Sequence, residues 1–277
     1  LLRSRGAAHG LGFSGIGLIV VPSIPHDAGR VLRVGRDDLP RCAGTGVRPA
    51  LEVRPMDSEL VDRVLGTAAS VLAGGAVSAN GHGNVSIRLP GADEMYFTSA
   101  ASLRGLSAAG VARVGLDGSL REGLLPPIQG AVVAMHTAMY EDNAEVGCVV
   151  HTHAPYATAH AVANEPIDCW IEAMAMFGLP DGVPLAGYAP RGSEAAVASI
   201  RGAVRAGTPA VLLANHGVLV FHRTPELAVL ALGVVEEAAQ ASVNARGLGG
   251  PVALPREMRA AALQRAMSFE AAGTQVR

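Results

Sequence analysis

Lysine is missing altogether: the 22 basic side chains other than histidine are all arginine, in a chain of 277 residues. That absence removes Schiff-base catalysis and a lysine-anchored pyridoxal cofactor. It also removes a phosphate loop of the GK[ST] type. Any carbon–carbon chemistry then needs a metal as its electron sink. Cysteine is scarce too. Cys42, Cys148 and Cys169 show neither CxxC nor CxH spacing, so no disulfide framework or zinc knuckle is legible, and a reducing, cytoplasmic setting is the expectation. Aromatics make up 4% of the residues, so the core must be assembled mainly from Ala, Val and Leu. A net charge of −2 offers nothing to draw nucleic acid or an anionic membrane surface. No apolar run approaches the roughly 20 residues that span a bilayer.

Two stretches differ in character. Residues 1–55 are rich in Gly, Pro and Arg, hold no sustained period, and carry eight Arg against four Asp or Glu. The expectation is a disordered or artefactual extension, followed by one domain over 56–277 with Met56 as the native start. Residues 11–21 resemble a signal-peptide core, but no convincing small-residue cleavage site follows. From Asp57 the pattern becomes regular. Asp57 is a good N-cap for a helix with apolar residues at Leu60, Val61, Val64, Leu65 and Ala68, which Gly74 and Gly75 end. Residues 85–89 and 95–98 alternate as strands around a Pro90–Asp93 turn. A helix-like piece is expected over 103–114 and an apolar helix carrying His136 over 131–140. A strand or edge segment is expected over 167–174. Ser193 and Thr224 cap two further helices, and a last one covers about 256–271. Strands interleaved with helices, without a strict βαβ rhythm or an internal repeat, predict an α/β or α+β sandwich.

The chemistry concentrates at the end of one strand. Val149 and Val150 run into His151-Thr152-His153, and alternation along a strand puts His151 and His153 on the same face. Two imidazoles so placed can bind one metal ion. A third ligand comes from His216, which ends the apolar run 210–214. Three protein ligands with open positions is the pattern of a catalytic metal site. Ordinary strand-end histidines would give the same spacing.

With the segments GNVSIR (83–88), HTHAPYATA (151–159) and ANHG (214–217) in this order, the chain resembles the class II aldolase/adducin family over about residues 57–250. The resemblance implies a three-layer α/β/α sandwich with a central, mainly antiparallel sheet. It implies a homotetramer with active sites between subunits. It also implies one divalent metal ion per subunit (Zn, Mn or Fe) on His151, His153 and His216. The adducin branch typically lacks these histidines, which argues for an enzyme.

The departures from the family pattern narrow the reaction. Sugar-phosphate members carry an acid/base carboxylate in a PSSE-like segment, whereas the corresponding stretch here is Pro127-Ile128-Gln129-Gly130-Ala131-Val132. No Asp or Glu occurs between Glu122 and Glu141. The phosphate-binding hydroxyls of that segment and of a TPSG-like turn are thinned as well. Decarboxylation needs no base to remove a C–H proton, because the leaving carboxylate supplies the electron pair. The chain is therefore expected to be a metal-dependent carboxy-lyase of a hydroxylated aromatic acid such as 3,4-dihydroxyphthalate, resembling the aromatic-acid decarboxylases of the family. In this reading Arg191 clamps a second carboxylate, Asn84 and Tyr156 line the substrate, and His82 or Glu172 supplies the proton. Glu172 falls near where an aldolase relative offers an acid/base from the neighbouring subunit. A solvated arginine, a loop histidine and a plain salt bridge are the competing readings of Arg191, His82 and Glu172. His136 and His160 are expected to pack or to support the ligands. Asn215 is expected to shape the turn presenting His216. The alternatives are a sugar aldolase or epimerase recruiting another acid/base, and a non-catalytic adducin-like assembly module.

Overall fold

The computed structural model describes residues 56–204 and 207–271. The expected extension over 1–55, and with it Cys42, lies outside the described residues. Helix α1 (Ser58–Ala73) opens on Asp57, whose side chain accepts from the Glu59 amide, and stops at Gly74. Strands β1 (Gly83–Ile87), β2 (Glu94–Thr98), β3 (Val111–Gly115) and β4 (Leu120–Glu122) form an antiparallel meander. Helix α2 (Pro127–Asp142) leads into β5 (Cys148–Thr152) and helix α3 (Pro155–Ala163). Short α4 (Glu172–Met176), two-residue β6 (Leu185–Ala186) and α5 (Glu194–Ala203) follow. Strands β7 (Ala210–Leu213) and β8 (Gly217–His222) form a hairpin, after which come α6 (Pro225–Ala245) and α7 (Arg256–Ala271).

The eight strands among the described residues make one sheet in the order β4-β3-β2-β1-β5-β8-β7-β6, antiparallel except for the β6–β7 pair. Period-2 alternation divides its side chains between two cores. Val85, Ile87, Cys148, Val150, Val218 and Val220 face the layer of α1, α3 and α6. Phe97, Val149, Val211, Leu219 and Phe221 face that of α2 and α5. This is the expected α/β/α sandwich, and its core is mainly aliphatic, in line with the shortage of aromatics.

Two expected elements differ. Residues 103–114 hold only a 3-10 turn, Ala108–Gly110, followed at once by β3, because the helix-like spacing is interrupted by Gly105 in the left-handed region and by Gly110. Residues 167–174 are no strand: Ile167 makes a single antiparallel bridge to Val183, and Glu172 already starts α4.

Candidate metal centre

Strand β5 lies between β1 and β8, with His151 opposite Asn84 on one side and Leu219 on the other. Both flanks carry a glycine where the neighbour comes closest. A Cβ on Gly83 would lie 2.6 Å from the His151 carbonyl oxygen, and one on Gly217 would lie 2.5 Å from that of Thr152. The turn joining β7 to β8 needs a left-handed residue, supplied by Asn215 at φ 56°, and the His216 amide closes it onto the Leu213 carbonyl at 3.0 Å. His216 is thereby delivered beside the end of β5, and Asn215 has the turn-shaping role expected of it.

Within the cluster one ligand nitrogen from each of His151, His153 and His216 lies within 4.8 Å of the others. The ring centroids stand 4.7 to 5.2 Å apart. Nδ1–H of buried His151 donates to the Val218 carbonyl at 2.9 Å, which leaves its Nε2 lone pair free. Burial holds the pKa of all three below the usual histidine value: that of His151 well below, that of His216 at about 4. Charge repulsion within the cluster and from Arg191 adds to the effect. At neutral pH the three rings are uncharged, with lone pairs available. Three neutral imidazole nitrogens converging at a strand end form a donor set suited to a first-row divalent cation.

The surrounding cavity, about 220 Å³, is walled by His82, Asn84, Gln129, Val132 and Arg191 together with His151 and His153. Among the described residues no Asp or Glu lines it. Gln129 is buried and its Oε1 has no partner among the described residues. A second chamber of about 240 Å³ shares Val132 and Arg191 with the first and also touches His216. Met135, Ala186, Ile200 and Leu213 make its wall largely apolar. Arg191, exposed at the junction, points a guanidinium N–H at His216 Nε2 from 3.4 Å. Gly192, at φ +76°, brings this loop against Ala131 on α2.

Of the residues expected at the site, His151, His153, His216, His82, Asn84 and Arg191 come together. His82 stands 5.9 Å from His153, ring to ring. Tyr156 does not join them: it lies on the first turn of α3, its ring packed against the core of the opposite sheet face. The step from β5 into α3 reverses the chain away from the histidines. Glu172 is also elsewhere, exposed at the start of α4 and paired with Arg265 at 3.7 Å. A single chain does not carry it to the cavity.

Several residues escaped the sequence reading. Glu236 on α6 accepts the Tyr156 and Ala157 amides, each at 2.8 Å, and so caps α3 directly behind the histidine strand. Nothing local in the sequence marks a cap supplied from 80 residues away. Ser86 and Tyr140 form a buried polar row between β1 and α2 with His136, the residue expected to pack or to support the ligands. Gln129, Val132, His136 and Tyr140 recur at helical spacing, and polar groups so placed in an otherwise apolar helix were the available signal. Arg88 turns out to be structural: its guanidinium donates to the carbonyls of Tyr140, Ala144 and Val146 and so clamps the end of α2.

A mainly antiparallel sheet between helical layers, with three histidines gathered at the end of β5, defines a sandwich built around a candidate metal site. Residues 65–243 match the Class II Aldolase and Adducin N-terminal domain, and the chain belongs to that family. Among curated proteins it is 33% identical over 122 residues to the 5-methylthioribulose-1-phosphate/5-deoxyribulose-1-phosphate aldolase of Rhodospirillum rubrum. That match covers 44% of this chain and only 54% of the relative. It is 31% identical over 180 residues to the 3-oxo-tetronate 4-phosphate decarboxylase of Cupriavidus necator, covering 62% of this chain and 80% of the relative. An L-fuculose 1-phosphate aldolase structure superposes with a TM-score of 0.65 at 24% identity, over 76% of this chain and 97% of that one, a likeness of fold. Both aldolases and a decarboxylase thus stand among its relatives, and all of these are lyases.

Proposed function

We propose that this chain is a metal-dependent carboxy-lyase acting on a hydroxylated aromatic carboxylic or dicarboxylic acid, of which 3,4-dihydroxyphthalate is the type. The observation that carries the reading is the cavity wall: the described residues around the histidines include no carboxylate to take a proton from carbon. His151, His153 and His216 would hold one divalent ion, Zn, Mn or Fe. When bound, such an ion supplies Lewis acidity beside the leaving group. Arg191 grips a substrate carboxylate with its planar fork. Asn84 offers its amide to a second oxygen, and the apolar chamber beyond Val132 receives ring atoms that a sugar would replace with hydroxyls lacking partners. The bond from ring carbon to carboxylate breaks, its electron pair stays on that carbon, CO₂ departs, and a ring N–H of His82 delivers the proton. Glu172 serves only if a neighbouring subunit carries it to the site, as a homotetramer would allow.

A second reading, a sugar-phosphate aldolase, is favoured by the names of most curated relatives. The two separate in one assay. Metal-loaded protein is expected to release CO₂ from 3,4-dihydroxyphthalate and to leave fuculose 1-phosphate intact. Aldol cleavage without CO₂ release would reverse the choice. His151→Ala is expected to abolish stoichiometric metal, measured by elemental analysis. Protein with no divalent metal, and unchanged by that substitution, would leave the non-catalytic assembly module.

A further inference from the structure

Between β1 and α2 four side chains make an unbroken buried row. Tyr140 Oη lies 2.7 Å from Ser86 Oγ, Ser86 Oγ 2.8 Å from His136 Nδ1, and His136 Nε2 2.7 Å from Asn84 Oδ1. All four residues are at most 5% exposed. The direction of the protons follows from counting them. Burial lowers the His136 pKa to about 3, so the ring is neutral and carries one N–H. An amide oxygen only accepts, which places that hydrogen on Nε2. Nδ1 then accepts from the Ser86 hydroxyl, and Ser86 in turn accepts from Tyr140, whose phenol burial keeps protonated. The opposite sense, with the Asn84 amide turned over, would leave the Tyr140 hydroxyl hydrogen without an acceptor. Among the described residues Tyr140 Oη has no hydrogen-bond partner but Ser86 Oγ. Only one sense satisfies every group.

This row ends at the cavity. Asn84 lines the histidine cavity, and its oxygen is taken by His136, so what it presents there is its NH₂. We propose that His136, held by Ser86 and Tyr140, is a positioning residue that locks the Asn84 amide as a hydrogen-bond donor and so commits this wall of the cavity to an anionic or carbonyl oxygen of the ligand. Without His136 the amide can turn over and offer its oxygen, which repels the same ligand. The proposal rests on the reading that the cavity binds an oxyanion beside a metal.

Oxalate binding to the zinc-loaded full chain, followed by calorimetry, tests it, with zinc content and melting temperature measured alongside. His136→Leu is expected to bind oxalate about tenfold more weakly or worse, the loss of one hydrogen bond to a charged group. Zinc stoichiometry is expected to stay unchanged. Ser86→Ala frees the tautomer and should show a smaller loss, while His136→Gln, whose amide NH₂ can donate to Asn84 Oδ1, should recover part of the affinity. Val133→Ala, a buried position on the same helix outside the row, supplies matched destabilisation. If both His136→Leu and Ser86→Ala bind oxalate as wild type does, or lose no more than Val133→Ala, the row only packs the core and the proposal falls. Should His136→Leu fail to fold, Ser86→Ala against Val133→Ala decides it alone. Zinc content and wild-type oxalate affinity report on the underlying site reading, independently of the variant comparison.

Discussion

Four histidines, His136, His151, His153 and His216, are held neutral by burial, and the effect reaches beyond metal binding. His216 titrates at about 4 and His136 at about 3, against 6.5 for a free imidazole. Between these values the unfolded chain binds more protons than the folded one, so stability rises with pH in that window. The metal-free protein is expected to lose melting temperature steadily as pH falls from about 6.5 towards 4, and to go on losing it towards 3. A melting temperature flat across that range would contradict the burial of these rings. His136→Leu, with one buried ring fewer, should give a shallower slope below pH 6. At neutral pH the three cluster histidines have no proton to release, so zinc uptake there should release few protons, as calorimetry in buffers of different ionisation enthalpy would show.

Elements deliver these residues through close approaches and caps. Gly217 is where β8 touches β5, and a side chain there must displace the Thr152 carbonyl and the His153 ring. Gly217→Val is expected to cost about 1–3 kcal/mol in denaturant unfolding and to halve metal content or worse. Normal metal loading with intact stability would show that the strand pair yields more easily than its spacing implies. Helix α3 begins at Pro155 after Ala154, which has no side-chain oxygen to cap it, and Glu236 supplies both acceptors from α6. Burial raises the Glu236 pKa even though both amides favour its carboxylate. Glu236→Ala should cost about 0.5–2 kcal/mol, a melting shift of a few degrees. The same segment that reads GNVSIR in the sequence distributes its work over four tasks: Gly83 for strand approach, Asn84 for the cavity, Ser86 for the polar row, and Arg88 for the end of α2.

At the scale of the whole molecule, both cavities open beside exposed apolar side chains that a neighbouring subunit can cover. Tyr188 and Ile128, at the two cavities, are 72% and 61% exposed, and Glu172 is exposed and lines neither cavity. A homotetramer is expected, at four chain masses by light scattering. If Glu172 acts across its interface, His151→Ala and Glu172→Gln chains, each inactive alone, should regain activity when co-expressed. No recovery in the mixed oligomer would remove Glu172 from the mechanism. Among the described residues no helix is long and apolar enough to cross a membrane.

Local order was legible because it is written at short range. Period-2 alternation put His151 and His153 on one face, and Asp57, Ser193 and Thr224 announced their helices by the oxygen each offers to a nearby amide. The family followed from three short segments in order, and the missing carboxylate from a stretch that holds none. What the fold alone decided concerns partners far apart in the chain. Tyr156 turned to the opposite core because β5 reverses into α3, and Glu172 went to Arg265 on α7 rather than to the histidines. Glu236 found α3 and His136 found Asn84 across gaps of 79 and 52 residues. A buried hydrogen-bonding group must be satisfied by whatever packing brings beside it, and no spacing within the sequence encodes that neighbour.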